Sequence, residues 1–260
     1  MRRTTLKSPF GWIGGKSKLS KDIIDLIPDD HKIYIEVFGG AASVLFGKEK
    51  SKLEVLNDIN SELINLHRAI RNNPETLSFY LNQMLVAREI FEDIRKRRWK
   101  PRNKIEAAAF YIYQLTHSFG SKAESFAMNA KSGRKPKDLY KSYNKWSTRL
   151  KGVTIENRSF QKLIPLYDKE DAFFYLDPPY VSSEHCYKNT GGFGIKEHEE
   201  LAELLSNIKG RFLLSYNDNV VVRELYKGFN IRTTKEINYT LGANRHKVEK
   251  KVKEVFISNY

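Results

Sequence analysis

The tetrapeptide Asp177-Pro178-Pro179-Tyr180 carries the strongest chemical signal in the sequence, because it directly follows the apolar run 173–176. Asp177 supplies a hydrogen-bond acceptor, and the two prolines remove two N–H donors and leave rigid carbonyls that only accept. Tyr180 adds a flat aromatic face. This set suits a planar group with an exocyclic amine, since acceptors that grip its N–H bonds free the nitrogen lone pair for attack. The alternative is a proline-rich turn, and the position after a buried strand favours chemistry.

A second signal is a glycine turn after an earlier apolar run, with Glu36, Phe38, Gly39 and Gly40 in and before the turn. Glycines let a ligand approach the backbone closely, and the N-terminus of a following helix favours negative groups. Asp58 ends the next apolar run, where α/β folds place an acid that binds ribose hydroxyls. The alternative for Asp58 is a helix cap, and the residues alone leave the two readings balanced.

The segment 9–17, PFGWIGGKS, is close to a phosphate-binding loop but does not match one. The pattern G-x-x-x-x-G-K-S requires glycine at position 10, which is Phe10. The sequence therefore argues against a nucleoside triphosphatase. Two residues of the segment remain candidates for a site: Lys16 to meet a carboxylate, and Trp12 to pack on a ligand.

These residues can meet only if strands bring them to one edge. Short β-rich runs at 33–38 and 53–56 flank a helical stretch at 41–46, which is a βαβ pattern. The run 171–176 is continuously apolar, as expected of a central parallel strand. A helix at 197–208, a strand at 211–216 and further short strands follow. The sequence predicts an α/β sheet domain built from both ends of the chain.

A mostly helical segment is predicted to interrupt this sheet domain. Its helical spacing covers 62–98, with Pro74 as a break, and 104–118, while a separate helical stretch at 16–27 lies in the sheet domain. Ser61 is the expected cap of the helix that follows it. The polar, glycine-bearing stretch 120–137 is expected to be a loop or hairpin. We assign residues 1–62 and 155–260 to the sheet domain and residues 63–154 to the insertion.

The positive charge is concentrated in that insertion. The chain of 260 residues has a formal net charge of +14, and residues 63–154 hold 19 Lys and Arg against 7 Asp and Glu. The other 168 residues are nearly balanced, with 26 basic and 24 acidic side chains. Aromatic residues interleave the basic runs, which favours a polyanion partner over solvated faces or a membrane surface. The candidate contacts are Arg97, Arg98, Arg134, Lys135 and Lys137.

Several classes of protein are disfavoured by composition. Cys186 is the only cysteine, which excludes an internal disulfide and argues against a cysteine-rich zinc site. No apolar run is long enough to cross a bilayer, and the first residues lack the apolar core of a secretory signal. The six histidines show no metal-ligand spacing. We expect a cytoplasmic protein without a metal.

Four motifs occur in one order along the chain: PFGWIGGK from Pro9, EVFGGAAS from Glu36, LNDIN from Leu56 and LDPPY from Leu176. In order and spacing they resemble the Dam-type (D12 class) DNA adenine-N6 methyltransferases. The resemblance is clear in both flanks of the chain. It is weak over residues 63–154, where this family keeps its variable DNA-recognition segment.

The resemblance implies a Rossmann-like S-adenosylmethionine-dependent methyltransferase sheet with an inserted, mostly helical DNA-recognition domain. It implies site-specific methyl transfer to N6 of a flipped adenine in double-stranded DNA, with S-adenosylhomocysteine as product and no metal. Asp177 and the Pro178 carbonyl would hold the amine, Pro179 would complete the catalytic motif, and Tyr180 would stack on the base. The implied cofactor contacts are Trp12, Lys16, Glu36, Phe38, Gly39, Gly40, Asp58 and Asp177.

The chain departs from the family at Ala42, which stands where the turn F-x-G-x-G usually ends in glycine. We expect weaker cofactor binding if the backbone angles there are unusual. Residues 215–218 resemble a secondary pocket motif. Alternative functions are methylation of another planar amine such as cytosine N4, or DNA binding without catalysis. We expect a monomer, or a dimer on DNA, in the nucleoid of a bacterial or phage-infected cell, with a cognate restriction endonuclease as a candidate partner.

Overall fold

The computed structural model describes residues 3–127, 139, 141–181, 192–234, 237–239 and 250–260. Seven strands of these residues form one sheet, and two more form a separate antiparallel pair. In chain order the strands are β1 (Ile33–Glu36), β2 (Leu53–Asn57), β3 (Val153–Glu156), β4 (Ala172–Leu176), β5 (Arg211–Asn217), β6 (Asn230–Thr233), β7 (Ile237–Tyr239), β8 (Lys250–Val252) and β9 (Glu254–Ser258).

The large sheet has the strand order β3-β2-β1-β4-β5-β9-β6. Strands β1 to β5 are parallel, whereas β9 runs antiparallel between β5 and β6. From β1 the chain adds β2 and β3 on one side, and it then adds β4 and β5 on the other side. Doubly wound sheets bind their ligands at this switch point, between β1 and β4. The predicted Rossmann-like α/β sheet is confirmed, and β4 is the buried central strand that its apolar sequence indicated.

Alternating side chains of the strands feed two apolar layers, one on each face of the sheet. Tyr34, Phe173 and Tyr175 enter one layer, while Ile35 and Phe174 enter the other. Helices cover both faces, as a parallel sheet requires. Those flanking the sheet strands are α1 (Ser20–Asp25), α2 (Ser43–Gly47), α8 (Phe160–Tyr167), α9 (Ile195–Ser206) and α10 (Val220–Leu225). None of the described helices is long and apolar enough to cross a membrane.

The segment between β2 and β3 is mostly helical, as predicted. Its helices are α3 (Ser61–Asn72), α4 (Pro74–Asn82), α5 (Arg88–Arg95), α6 (Lys104–His117) and α7 (Asn144–Leu150). Helix α6 packs against α3, α4 and α5. Pro74 breaks the helical stretch where the sequence indicated, because proline fits the first position of α4 and not the interior of a helix.

The expected cap at Ser61 is wrong. Ser61 is already the first residue of α3, and the preceding Asn60 caps the helix with its side-chain oxygen, which accepts from the backbone N–H groups of Glu62 and Leu63. Asparagine is among the best N-cap residues, so the sequence contained the correct signal one position earlier.

A buried ionic cluster joins the helical segment to the sheet. The Arg149 guanidinium on α7 lies 2.6 Å from Glu54 Oε2 on β2, and Lys48 Nζ lies 2.5 Å from Glu54 Oε1. Arg149 also donates to the Leu45 carbonyl at 2.7 Å. All three charged side chains are buried. The sheet resumes at Val153, directly after α7.

Candidate active site

A cavity of about 250 Å³ opens at the carboxyl edge of the sheet, beside the ends of β1, β2, β3 and β4. The structure brings all eight predicted cofactor contacts to its lining: Trp12, Lys16, Glu36, Phe38, Gly39, Gly40, Asp58 and Asp177. Pro179 lines it as well, whereas Pro178 and Tyr180 lie outside the lining. The strand-end rule therefore located the cavity from sequence.

The glycine turn after β1 requires glycine at two positions. A Cβ on Gly39 would lie 2.5 Å from Leu56 Cδ1 and 2.8 Å from the Asn57 carbonyl oxygen. Gly40 has a φ of +50°, and a Cβ there would lie 2.8 Å from Trp12 Cδ1. The turn is therefore packed against β2 on one side and the Trp12 indole on the other.

Ala42 has unusual backbone angles, which is the condition under which we expected weaker cofactor binding. Its φ is 54° and its ψ is 42°, which is the left-handed region. However, Ala42 is fully buried in the core beneath the turn and is absent from the cavity lining. The strain therefore lies behind the site, and we expect it to affect stability before cofactor affinity.

Asp58 is held by backbone N–H groups from both sides. Gly40 N–H donates to Oδ2 at 3.0 Å and Asn60 N–H donates to Oδ1 at 2.9 Å. Burial raises the pKa of Asp58, and these backbone hydrogen bonds oppose that rise. Because Asn60 caps α3, the alternative reading of Asp58 as the cap does not hold. A carboxylate has about four acceptor sites, so Asp58 can also accept from a hydroxyl of a ligand.

Buried Lys16 forms an ion pair with the partly exposed Asp177, the first residue of the catalytic motif. Lys16 Nζ lies 2.7 Å from Asp177 Oδ1, and Ser215 Oγ donates to the same oxygen at 2.9 Å. Within the described part of the chain, Oδ2 has no hydrogen-bond partner. Burial raises the pKa of Asp177 to about 6, an effect that Lys16 opposes and Glu254 reinforces. Glu254 Oε2 lies 3.9 Å from Lys16 Nζ.

Tyr180 lies beside Lys16, outside the cavity lining. Lys16 Nζ is 4.8 Å from the centre of the Tyr180 ring, and that ring is 5.9 Å from the Tyr216 ring. The Tyr216 hydroxyl in turn hydrogen-bonds to Nδ1 of His198 on α9. The predicted motif 215–218 therefore supports the catalytic motif twice, through Ser215 on Asp177 and Tyr216 on Tyr180.

Three aromatic side chains of the cavity lining pack against one another. Phe38 lies 5.9 Å from Phe160 and 5.8 Å from Phe193, and the last two are 5.7 Å apart. The sequence analysis missed Phe160 and Phe193. Phe160 begins the helix that follows β3, so applying the strand-end rule to β3 would have found it.

Glu36 is a buried acid in the cavity lining. Its Oε2 accepts from the Tyr34 hydroxyl at 2.8 Å and from the Leu45 N–H at 2.9 Å. Burial raises the pKa of Glu36 to about 8, although both hydrogen bonds favour the charged form. Glu36 is therefore largely protonated at neutral pH and can donate as well as accept.

A larger groove of about 1260 Å³ adjoins the cavity and is lined mainly by α5, α6 and the loop between them. The groove and the cavity share Trp12, Ile13, Ile59 and Asn60. Its aromatic lining residues beyond Trp12 are Trp99, Phe110 and Tyr111, and its basic lining residues are Arg95, Arg97, Lys100 and Lys122. Cations beside stacking surfaces suit a nucleic acid.

Of the two predicted DNA contacts at the end of α5, only Arg97 lines the groove. Arg97 lines the groove, has a φ of 55°, and forms no ion pair with any described residue. Arg98 is absent from the groove lining, and its Nε donates to Asp93 Oδ1 at 2.8 Å. The other three predicted contacts, Arg134, Lys135 and Lys137, lie outside the described residues, as does Cys186.

No group of three or more His, Cys, Asp or Glu side chains that could hold a metal occurs among the residues that the structure describes. The cavity offers an aromatic cluster, an acid placed to accept from ribose hydroxyls, and the Asp177 carboxylate. These features fit S-adenosylmethionine, with its adenosine, sulfonium and ammonium groups. A Rossmann-like sheet with an antiparallel strand beside β5, and this lining at its edge, define a methyltransferase.

Residues 12–240 match the family model of the D12 class N6 adenine-specific DNA methyltransferases, and the chain belongs to this family. Membership implies that it uses S-adenosylmethionine and acts on DNA. The predicted family, reaction and class of enzyme are thereby confirmed.

Three curated relatives match over more than nine-tenths of their own lengths. The Type II methyltransferase M.CviBI of Paramecium bursaria Chlorella virus NC1A is 28% identical over 98% of this chain and 100% of its own. The Type II methyltransferase M1.LlaDCHI of Lactococcus lactis subsp. cremoris is 29% identical over 96% and 94%. A DNA adenine methylase of Vibrio cholerae is 25% identical, covering 92% of both chains.

Proposed function

We propose that this D12 class enzyme methylates adenine N6 at specific sites in double-stranded DNA by holding the target amine against Asp177 Oδ2. The observation that carries this proposal is the asymmetry of the carboxylate. Lys16 and Ser215 both occupy Oδ1, whereas Oδ2 is open among the described residues. A fixed, charged acceptor is therefore available beside the cavity.

The residues of the catalytic motif have different roles toward the target base. A target adenine must leave the duplex to reach the site. Tyr180 stacks on the extruded ring, while Asp177 and the Pro178 carbonyl accept the two N–H bonds of its amine. Both acceptors are positioned in advance, so the amine nitrogen is aligned with its lone pair free. Pro179 fixes the backbone between the two roles.

The cavity residues hold the cofactor. Bound S-adenosylmethionine supplies the methyl group for the amine nitrogen and is released as S-adenosylhomocysteine. Asp58 accepts from ribose hydroxyls, and the cluster of Phe38 and its two aromatic neighbours packs against the adenine ring. Trp12 closes the cavity over the glycine turn. Protonated Glu36 is a neutral hydrogen-bonding group, so it adds no charge beside Asp177 at neutral pH.

The groove binds the duplex. Arg97 and Lys100 line it and form no ion pair with any described residue, so both are available to phosphates. We retain Arg134, Lys135 and Lys137 as DNA contacts on their charge alone, and residues 63–154 as the recognition domain. We propose action in the cytoplasm, at the nucleoid, as a monomer or a dimer on DNA. The Type II names of two relatives support a cognate restriction endonuclease as partner.

The test is methyl transfer from labelled S-adenosylmethionine to duplex DNA from a methylation-free source, followed by digestion to nucleosides and mass spectrometry. We expect N6-methyladenine, and sequencing of the modified sites gives the target. Asp177→Ala should abolish transfer while Tyr180→Ala weakens base capture and leaves cofactor affinity near normal. N4-methylcytosine as the product would replace the proposed substrate, and DNA binding without transfer would leave a non-catalytic protein.

A further inference from the structure

One hydrogen bond links the wall of the cofactor cavity to the wall of the groove. Asn60 Nδ2 donates to the Tyr111 hydroxyl at 3.1 Å. Asn60 follows β2 and lines both spaces, whereas Tyr111 lies on α6 and lines the groove alone. The bond thus joins the sheet edge to the helical segment at the point where the two spaces meet.

The Asn60 side chain has little freedom to form this bond differently. Its Oδ1 accepts the N–H groups of Glu62 and Leu63 at 3.0 and 3.1 Å as the cap of α3. The amide plane is therefore fixed, and its NH₂ group points at Tyr111. The Asn60 backbone N–H holds Asp58 Oδ1 at 2.9 Å, so one residue connects α6 to the acid of the cofactor cavity.

We propose that Tyr111 is a positioning residue through which DNA in the groove tightens the loop that carries Asp58. This inference rests on the proposed function of the two spaces. DNA that packs on the groove wall restrains Tyr111 and α6, and through Asn60 it restrains the acid that binds the cofactor. Coupling between two binding sites is reciprocal, so the cofactor tightens DNA binding by the same factor.

The test measures the dissociation constant of S-adenosylhomocysteine by calorimetry, with and without a duplex that contains the mapped target sequence. For the wild-type enzyme we expect the duplex to tighten binding by about 5- to 10-fold, within the usual range of coupling factors. In Tyr111→Phe the ring stays and the hydroxyl goes, so the duplex should change the constant by about 2-fold or less. The coupling factor is the ratio of the two constants for one enzyme, so a change in affinity for either ligand alone does not enter it.

Tyr80→Phe is the matched control. The Tyr80 hydroxyl accepts from Asn103 Nδ2 at 2.8 Å within the same helical segment, away from the cavity lining. Its loss should leave the coupling intact. Asn60→Ser keeps a capping oxygen but is too short to reach Tyr111, so it should lose the coupling as Tyr111→Phe does.

Two results overturn the inference: a wild-type enzyme that shows no coupling, or a Tyr111→Phe enzyme that keeps it. Failure of the proposed function is distinct from both. In that case the wild-type protein transfers no methyl group to DNA, does not bind the duplex, or does not bind S-adenosylhomocysteine.

Discussion

Asp177 shows how a single side chain reconciles burial with charge. Burial raises its pKa, and Lys16 and Ser215 limit that rise by favouring the ionised carboxylate on one oxygen. The result is a carboxyl group with a pKa of about 6, which is ionised at neutral pH and becomes protonated at mildly acidic pH. The proposed role needs this charged form, because a protonated carboxyl accepts hydrogen bonds poorly.

The pH dependence of the reaction should report this balance. We expect kcat/KM for DNA to rise from pH 5 to pH 7 with an inflection near pH 6, since this parameter follows the free enzyme. Lys16→Met removes the positive charge that lowers the pKa of Asp177, so the inflection of its residual activity should move to higher pH. Rate measurements across pH with both enzymes check this. An inflection that stays in place in the variant contradicts the assignment.

Ala42 gives a second prediction at the residue scale. Relief of a left-handed alanine is worth about 1–2 kcal/mol, while loss of its buried methyl costs about 0.8 kcal/mol. Ala42→Gly should therefore change the free energy of unfolding by about 1 kcal/mol or less, measured in urea. Affinity for S-adenosylhomocysteine should stay within about 2-fold, because the methyl faces the core. A large gain in affinity would show that the turn itself is distorted.

Residues next to strand ends were predictable from sequence. Asp58 and Asp177 follow apolar runs directly, so the common edge of a parallel sheet places them together. Asn60, Phe193 and Tyr111 were not found, because their roles depend on contacts with partners that are distant in the chain. No local pattern states that Tyr111 faces Asn60, 51 positions away.

Among the elements, the end of α5 combines a structural cost with a proposed function. Arg97 N–H donates to the Ile94 carbonyl and Arg98 N–H donates to the Asp93 carbonyl, which closes the helix in the manner that favours glycine at position 97. Arginine occupies this left-handed position instead and lines the groove. We take this strain as the reason to test whether the Arg97 side chain acts in the proposed DNA groove.

Two substitutions at this helix end should separate strain from binding. Arg97→Gly should raise the free energy of unfolding by about 1 kcal/mol, because glycine tolerates the left-handed backbone, whereas Arg97→Ala should not. Both should lower the slope of log affinity for DNA against log salt by about 1, as expected for one lost phosphate contact. Urea titration and binding at several salt concentrations measure the two effects.

Arg98→Ala is the control, because Arg98 pairs with Asp93 outside the groove. Its salt slope should match that of the wild type. An unchanged slope in both Arg97 variants would remove Arg97 from the interface.

Helix positions were predictable to within a few residues, and their ends less so. Pro74 was identifiable because proline has one strong helix position, whereas the cap was predicted one position late, at Ser61, because serine caps helices as well as asparagine does. The strand order was only partly predictable from the sequence. A βαβ unit fixes the neighbours β1 and β2, but nothing local places β9 between β5 and β6, since that pairing joins distant segments.

For the whole molecule, the buried Lys48–Glu54–Arg149 cluster ties the helical segment to the sheet. The carboxylate is surrounded by two cations, and removing one leaves buried charge with fewer partners. We expect Arg149→Ala to lower the free energy of unfolding by about 3 kcal/mol. Fluorescence and circular dichroism in urea should show whether both parts still unfold together.

Arg223→Ala serves as the comparison for that experiment. Its exposed ion pair with Asp218 is screened by water, so the unfolding midpoint should hardly change. An equally small effect from Arg149→Ala would show that the cluster contributes little to joining the two parts.

The position of β9 also matters while the chain is being made. On the ribosome β5 and β6 emerge before their shared neighbour, so β6 has no sheet partner until residues 254–258 follow. Until then the apolar edge of β5 lies open, a surface on which nascent chains stick to one another. The same late strand brings Glu254 to Lys16, which is distant from it in sequence. A growing chain therefore lacks the acid that faces Lys16, the partner of Asp177, until β9 is translated.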